Sequence, residues 1–141
     1  MHALTTALTT ALTATMLALP APPAAAQNGA DLVVQAREAW QVRDRARLAT
    51  LRDAALAVGH PLAMWVHYFD LNARLADLQQ PEFEAFAARW PGTYVEDRLR
   101  NDWLLELGRR RDWAALSADY PRFRMNDDRE VLCYHLLTQH Q

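Results

Sequence analysis

Ala88-Arg-Trp-Pro-Gly-Thr-Tyr-Val-Glu-Asp-Arg-Leu-Arg-Asn-Asp-Trp-Leu104 writes a helix end, a corner and a helix start into seventeen residues. Trp90 closes one helix and Pro91-Gly92 turns the chain. Thr93 and Glu96 then read as a capping box, in which each side chain satisfies an orphan amide at the start of the next helix. Similar units lie on both sides of this stretch, so the chain reads as a stack of helix pairs and not as a globule around a catalytic cleft.

Working outward, the apolar residues keep helical spacing from Asp31 onward, with no strand-like alternation of useful length. Asp31 is expected to cap a first helix with Val33, Ala36 and Trp40 on one face. Asp44 is expected to cap a second, with Leu48, Leu51, Ala55 and Val58 inward, ending at Gly59. Pro61 suits the first turn of a third helix, which carries Leu62, Trp65 and Phe69 on one side and Tyr68, Leu71, Leu75 and Leu78 on the other. A helix apolar on two sides must be covered on two sides. Pro81 opens a fourth helix with Phe83, Phe86, Ala87 and Trp90 toward the core; the fifth aligns Val95, Leu99, Trp103 and Leu107 and is expected to stop at Gly108. Asp112 caps a sixth, with Trp113, Leu116 and Tyr120 inward, which Pro121 ends. A seventh begins near Asp127 with Leu132, Leu136 and Leu137, and Gln141 falls within its amphipathic pattern without a stop signal. Pair starts near Asp31, Pro61 and Thr93 lie roughly thirty residues apart, the scale of helical repeats. A weaker echo sets Asp44, Leu48 and Leu51 against Asp112, Leu116 and Asp119. The expected fold is all-α, an irregular α-solenoid or superhelix of antiparallel pairs, about seven helices in all.

Residues 2–26 are uncharged and rich in Ala, Leu and Thr, and they end in Ala24-Ala25-Ala26. That pattern predicts a signal peptide over 1–26 with cleavage after Ala26, although no Lys or Arg precedes the apolar run. Thr and Pro dilute the run below what a membrane span needs. No Cys follows the cleavage site, so no lipid anchor is expected. The domain is then 27–141, exported and without a membrane anchor.

The 141-residue chain is 51% hydrophobic and 23% charged with a net charge of −2, which suits one folded domain and leaves no electrostatic footprint for nucleic acid. All fifteen basic residues are Arg. Their one cluster, Arg109-Arg110-Arg111, stands where a helix should end, where cations are favoured; the lesser alternative is binding of a ligand phosphate or carboxylate. His60, His67 and Asp70 could share a face, but no Cys or carboxylate arrangement completes a metal site. Cys133 stands alone and reads as a small buried hydrophobe. Glu82 with Glu84, and Glu96 with Asp97, fall in first helical turns, where negative charge needs no catalytic explanation. Most of the five Trp residues, 40, 65, 90, 103 and 113, read as core. The aromatics that could stack on a sugar from a groove are Trp65 with Tyr68, and Tyr94. No catalytic residue, cofactor site or metal site is expected.

Taken together, Gly59-His-Pro-Leu62, Phe86-x-x-Arg89-Trp-Pro-Gly-Thr-Tyr94-x-x-Asp97-Arg-Leu-Arg100-x-x-Trp103-Leu104, Leu107-Gly-Arg-x-x-Asp112-Trp, Tyr120-Pro and Cys133-Tyr134 resemble the N-terminal region of the soluble lytic murein transglycosylases. The resemblance spans about residues 30–141. It implies a periplasmic enzyme whose N-terminal U-shaped superhelix closes into a ring with a linker domain and carries a lysozyme-like C-terminal domain. That last domain cleaves peptidoglycan between N-acetylmuramic acid and N-acetylglucosamine and leaves an anhydromuramoyl end. Its catalytic Glu is followed by Ser, and a Gly-Leu-Met-Gln segment accompanies it. Here Glu38, Glu82, Glu84, Glu96, Glu106 and Glu130 are followed by Ala, Phe, Ala, Asp, Leu and Val, and no Gly-Leu-Met-Gln occurs. The implied role is a non-catalytic scaffold, incomplete at its C-terminal end, that meets glycan strands as part of the full-length enzyme and cleaves nothing alone. The competing expectation is a secreted tetratricopeptide-like module that binds a protein partner.

Overall fold

A computed structural model describes residues 24–140, with side chains from Asp31 onward. Among the described residues the chain is all-α, without a strand. Its helices are α1 (Ala24–Gln41), α2 (Arg45–Ala57), α3 (Ala63–Ala73), α4 (Gln80–Arg89), α5 (Tyr94–Arg110), α6 (Trp113–Asp119) and α7 (Arg129–Thr138), with short 3₁₀ turns at Leu75–Asp77 and Tyr120–Arg122. The expected signal segment lies outside the described residues except for its last three. Those three alanines, strong helix formers, open α1, so Asp31 sits inside a helix rather than capping one.

The remaining corners show how locally the sequence sets them. Asp44 caps α2 by accepting from the Arg47 amide at 3.0 Å, and Asp112 caps α6 by accepting from the Ala115 amide at 3.1 Å. Leu48 and Leu116, four residues on from each, are both fully buried. The echo between the two segments is therefore a shared way of starting a helix and anchoring its first turn. Trp90 ends α4, Gly92 takes the left-handed conformation (φ 73°), and Thr93 Oγ1 accepts from the Glu96 amide at 3.1 Å. The capping box is only half formed, because the Glu96 carboxylate turns inward to Arg100 and Arg124 instead of back to Thr93. A reciprocal box does start α4, where Glu82 accepts from the Gln79 amide at 3.1 Å. Pro61 stands before α3 and not in its first turn, and α3 ends at Ala73. Leu75 and Leu78 are delivered by the 3₁₀ turn and its exit, with Leu78 fully buried.

Helix α3 is the shared wall. It packs on α1 and α2 on one side and on α5 on the other. Ala63 and Val66 join Ala36, Ala39, Leu48 and Ala55 in one cluster, while Tyr68 and Leu71 join the residues of α4–α7 in a second. Phe69 and Trp90 touch both clusters. Of the two apolar faces read from the sequence, the one with Tyr68, Leu71 and Leu78 is buried, whereas Leu62 of the other is exposed, Trp65 packs on the second cluster, and α1 and α2 are met by Ala63 and Val66 instead; burying a large apolar side chain contributes about 1.5–3 kcal/mol.

Helix α5 is the axis of the second cluster and contacts α3, α4, α6 and α7. Its Val95, Leu99, Trp103 and Leu107 are all buried as their spacing predicts. Trp103 stacks on Phe83 with centroids 5.6 Å apart and donates to Gln80 Oε1 at 3.0 Å, so its indole is both packed and satisfied. Gly108 does not stop the helix, which continues to Arg110 and ends at a left-handed Arg111. The glycine serves packing instead, since the Tyr134 ring of α7 occupies the space of a side chain there. Arg110 donates to the carbonyls of Leu75, Ala76 and Leu78, closing the 3₁₀ turn against α5.

The outer faces depart from expectation in four places, one of them Leu62, the N-cap of α3, which is 44% exposed. Val58 is 70% exposed because α2 has already ended at Ala57. Helix α7 is capped by Asp128 and turns Val131 inward, leaving Leu132, Leu136 and Leu137 exposed. Cys133 is exposed with them, and not buried as its type suggested.

Candidate functional site

A polar cleft lies where the ends of α1 and α3 meet the start of α2. The corner after α1 supplies Trp40, Gln41 and Arg43; α2 begins there with Arg45; the end of α3 and its 3₁₀ turn add Asn72 to Ala76; and α5 contributes Asp102, Leu105, Glu106 and Arg109. They enclose a cleft of about 560 Å³. Its entrance is shaped by Arg43, which adopts φ 56° while the Arg43 and Asp44 amides bond to the Trp40 and Ala39 carbonyls and close α1.

The floor of the cleft is a hydrogen-bonded chain. Trp40 Nε1 donates to Asn72 Oδ1 at 2.8 Å, Asn72 Nδ2 donates to Asp102 Oδ2 at 2.9 Å, and Tyr68 Oη donates to the same oxygen at 2.8 Å. Burial raises the Asp102 carboxyl above its ordinary range, opposed by the bonds it receives and by Arg98. Burial and the neighbouring carboxylate push the Tyr68 phenol up to about 12. In this chain Tyr68 Oη and Asn72 Nδ2 are the donors and Asp102 Oδ2 accepts from both. Glu106 is held by Arg110 at 2.9 Å and more loosely by Arg109 at 3.6 Å. The lining thus offers hydrogen-bond donors, acceptors and cations.

The structure brings Trp65, Tyr68 and Tyr94 together. Trp65 meets Tyr68 edge-on at 5.8 Å and Tyr94 at 6.2 Å between centroids. Tyr94 is 60% exposed and Trp65 half-buried, whereas Tyr68 lies beneath them, 5% exposed. Tyr68 thus joins the aromatic pair to the cleft floor through its hydroxyl and is not itself an open stacking face.

His60, His67 and Asp70 are engaged separately. His60 Nδ1 accepts from the Leu62 amide, His67 Nδ1 accepts from Trp90 Nε1 at 3.2 Å, and Asp70 is paired with Arg52 at 2.6 Å. Among the described residues no group of three or more His, Cys, Asp or Glu side chains is placed to hold a metal ion, and no helix is long and apolar enough to cross a membrane.

Sequence reading did not single out Trp40 as polar, nor Asn72, Asp102 or Arg43 as site residues, and it met Arg109 only as part of the arginine cluster at a helix end. Trp40 and Asn72 are 32 residues apart, and Asn72 and Asp102 are 30 apart. Both separations are close to the roughly thirty residues expected between helix-pair starts, but no residue type at that spacing marks a hydrogen bond.

Most of the residues that carry the family resemblance have structural work. Thr93 caps α5, and Asp97 accepts from the Arg124 and Met125 amides at 3.0 and 2.7 Å. Arg100 is buried between Glu96 and Asp119. No family model, curated protein or solved structure matches the chain.

Proposed function

We propose that this chain is a non-catalytic helical scaffold that holds glycan strands, and that it belongs to the N-terminal superhelix of a periplasmic lytic murein transglycosylase. Its partner on this reading is peptidoglycan, and bond cleavage belongs to a separate catalytic domain. The observation that carries the proposal is the cleft with its adjoining aromatic pair. Indole and phenol faces at Trp65 and Tyr94 suit the apolar face of a pyranose, while Asn72, Gln41 and the arginines suit its hydroxyl and amide groups. The helix pairs contact near neighbours in sequence, as repeats in a solenoid do.

The exposed Leu132, Leu136 and Leu137 favour a second reading, a protein-binding module that docks a partner on α7. The two readings separate on purified, insoluble peptidoglycan. The scaffold reading expects the chain to co-sediment with it and to release no soluble muropeptides on chromatography. Released anhydromuropeptides would overturn the non-catalytic assignment. A chain that stays in the supernatant would overturn glycan binding and leave the protein-binding module as the reading to pursue.

A further inference from the structure

A second groove lies between the end of α5, the start of α6 and α7. It measures about 600 Å³ and is lined by Gly108, Arg109, Arg111, Trp113, Tyr134 and Leu137, with no carboxylate among them. Local sequence shapes it. Gly108 admits the Tyr134 ring and so lets α7 lie close on α5. Arg111 takes the left-handed conformation (φ 58°) at the corner between α5 and α6. Asp112 then caps α6, which sets Trp113 at its first position, with its ring 6.3 Å from that of Tyr134 and inclined by 43°.

The binding groups of this groove are left unmatched. Arg109 is paired with Glu106 at 3.6 Å, but Arg111 makes no ion pair among the described residues. Of the acids close by, Asp112 accepts from the Ala115 amide and Glu130 stands beside the Tyr134 phenol. Trp40, Trp90 and Trp103 donate their indole N–H groups to Asn72, His67 and Gln80, whereas that of Trp113 has no acceptor among the described residues. Trp113 and Tyr134 are half-buried, and Leu137 is 46% exposed. Trp, Tyr and Arg set in a partly covered apolar wall are the side chains that dominate binding energy in protein interfaces. A lining with cations and no carboxylate is complementary to an acidic occupant.

We propose that this groove docks an acidic segment of a partner protein. An apolar side chain of the segment packs on Trp113, Tyr134 and Leu137, a carboxylate meets Arg111, and a main-chain carbonyl accepts from Trp113 Nε1. The inference rests on the protein-binding reading of α7 and gives the partner its chemistry. It stands apart from glycan binding, since only Arg109 lines both the groove and the cleft.

The test pans the full chain against a random peptide display library and measures the recovered peptides by fluorescence polarisation. They are expected to carry aspartate or glutamate beside leucine or phenylalanine. Arg111→Asn suits the left-handed position and is expected to weaken their binding about tenfold, the scale of one charge-assisted hydrogen bond. Trp113→Phe is expected to weaken it about threefold, the scale of a neutral one. Arg37→Gln, an exposed change on α1 outside the groove, is expected to leave it unchanged; far-UV circular dichroism verifies each fold. Neutral or basic peptides, or acidic ones indifferent to Arg111→Asn, would overturn the acidic partner and leave docking on α7 standing. Recovery of no peptide would overturn the inference together with the protein-binding reading. A dimer in sedimentation that Leu137→Gln disperses would seat a second copy in the groove and likewise overturn the inference.

Discussion

The ring of Tyr134 on α7 lies over Gly108 of α5 in the space that a Cβ would fill. A glycine inside a helix costs about 1 kcal/mol relative to alanine, so it persists here because the contact between helices outweighs the propensity. Gly108→Ala is expected to lower stability by about 1–2 kcal/mol, since overpacking a tight contact costs more than the propensity returns. In a Tyr134→Ala background the same change is expected to stabilise the chain. Urea unfolding of the four proteins reads the coupling, and a Gly108→Ala chain that is more stable with Tyr134 in place would refute the packing role.

Gly108 also shows where sequence reading stops. Composition and periodicity placed Val95, Leu99, Trp103 and Leu107 on one buried face, and that face is buried, because helical spacing is a local property. A glycine after such a run has two physical uses, a helix stop or a close approach, and only the partner helix decides between them. The same holds for Glu96. Its position predicts a capping box, but Arg100 and Arg124 lie within reach and a charged partner outcompetes a neutral amide. The Trp40, Asn72, Asp102 chain was illegible for the matching reason, since hydrogen bonds across some thirty residues depend on how the pairs stack.

Asp97 links two segments that the sequence separates widely. Its buried carboxylate accepts from the Arg124 and Met125 amides and faces Arg124 Nε at 3.6 Å, pinning the loop between α6 and α7 against α5. Asp97→Ala leaves those amides without their acceptor and is expected to cost about 2–4 kcal/mol. The loop is expected to become the first site cut in limited proteolysis. A variant as stable as the parent, with unchanged cleavage, would rule out the pinning role.

His67 gives stability a pH dependence of defined sign. Burial, reinforced by Arg52, Arg89 and Arg74 and opposed by Asp53, pushes the imidazole from 6.5 down to about 4. Nδ1 accepts from Trp90 Nε1, which can only donate, so the folded state needs the neutral ring. The unfolded chain binds the proton first as pH falls. The contribution is therefore fully present above about 6.5, and is lost progressively until pH reaches about 4, at most about 3 kcal/mol in total. His67→Gln keeps an acceptor for Trp90 without a titrating group and is expected to flatten that part of the profile. Urea midpoints taken through this window check it; equal slopes in both proteins would assign the dependence elsewhere.

The two faces of α7 are expected to respond oppositely to substitution. Val131 is fully buried against α5 and α6, so Val131→Ala loses buried methyl groups and opens space, at a cost of about 1–2 kcal/mol. Leu132 and Leu136 are 43% and 47% exposed, and their replacement by Gln is expected to change unfolding free energy by about 0.5 kcal/mol or less each. Denaturation at two protein concentrations separates packing within the chain from packing between copies. If Leu132→Gln and Leu136→Gln together destabilise the chain as strongly as Val131→Ala, and only at the higher concentration, the leucine face is covered by a second copy in solution. The same loss at both concentrations would mean that the face is buried within the chain itself.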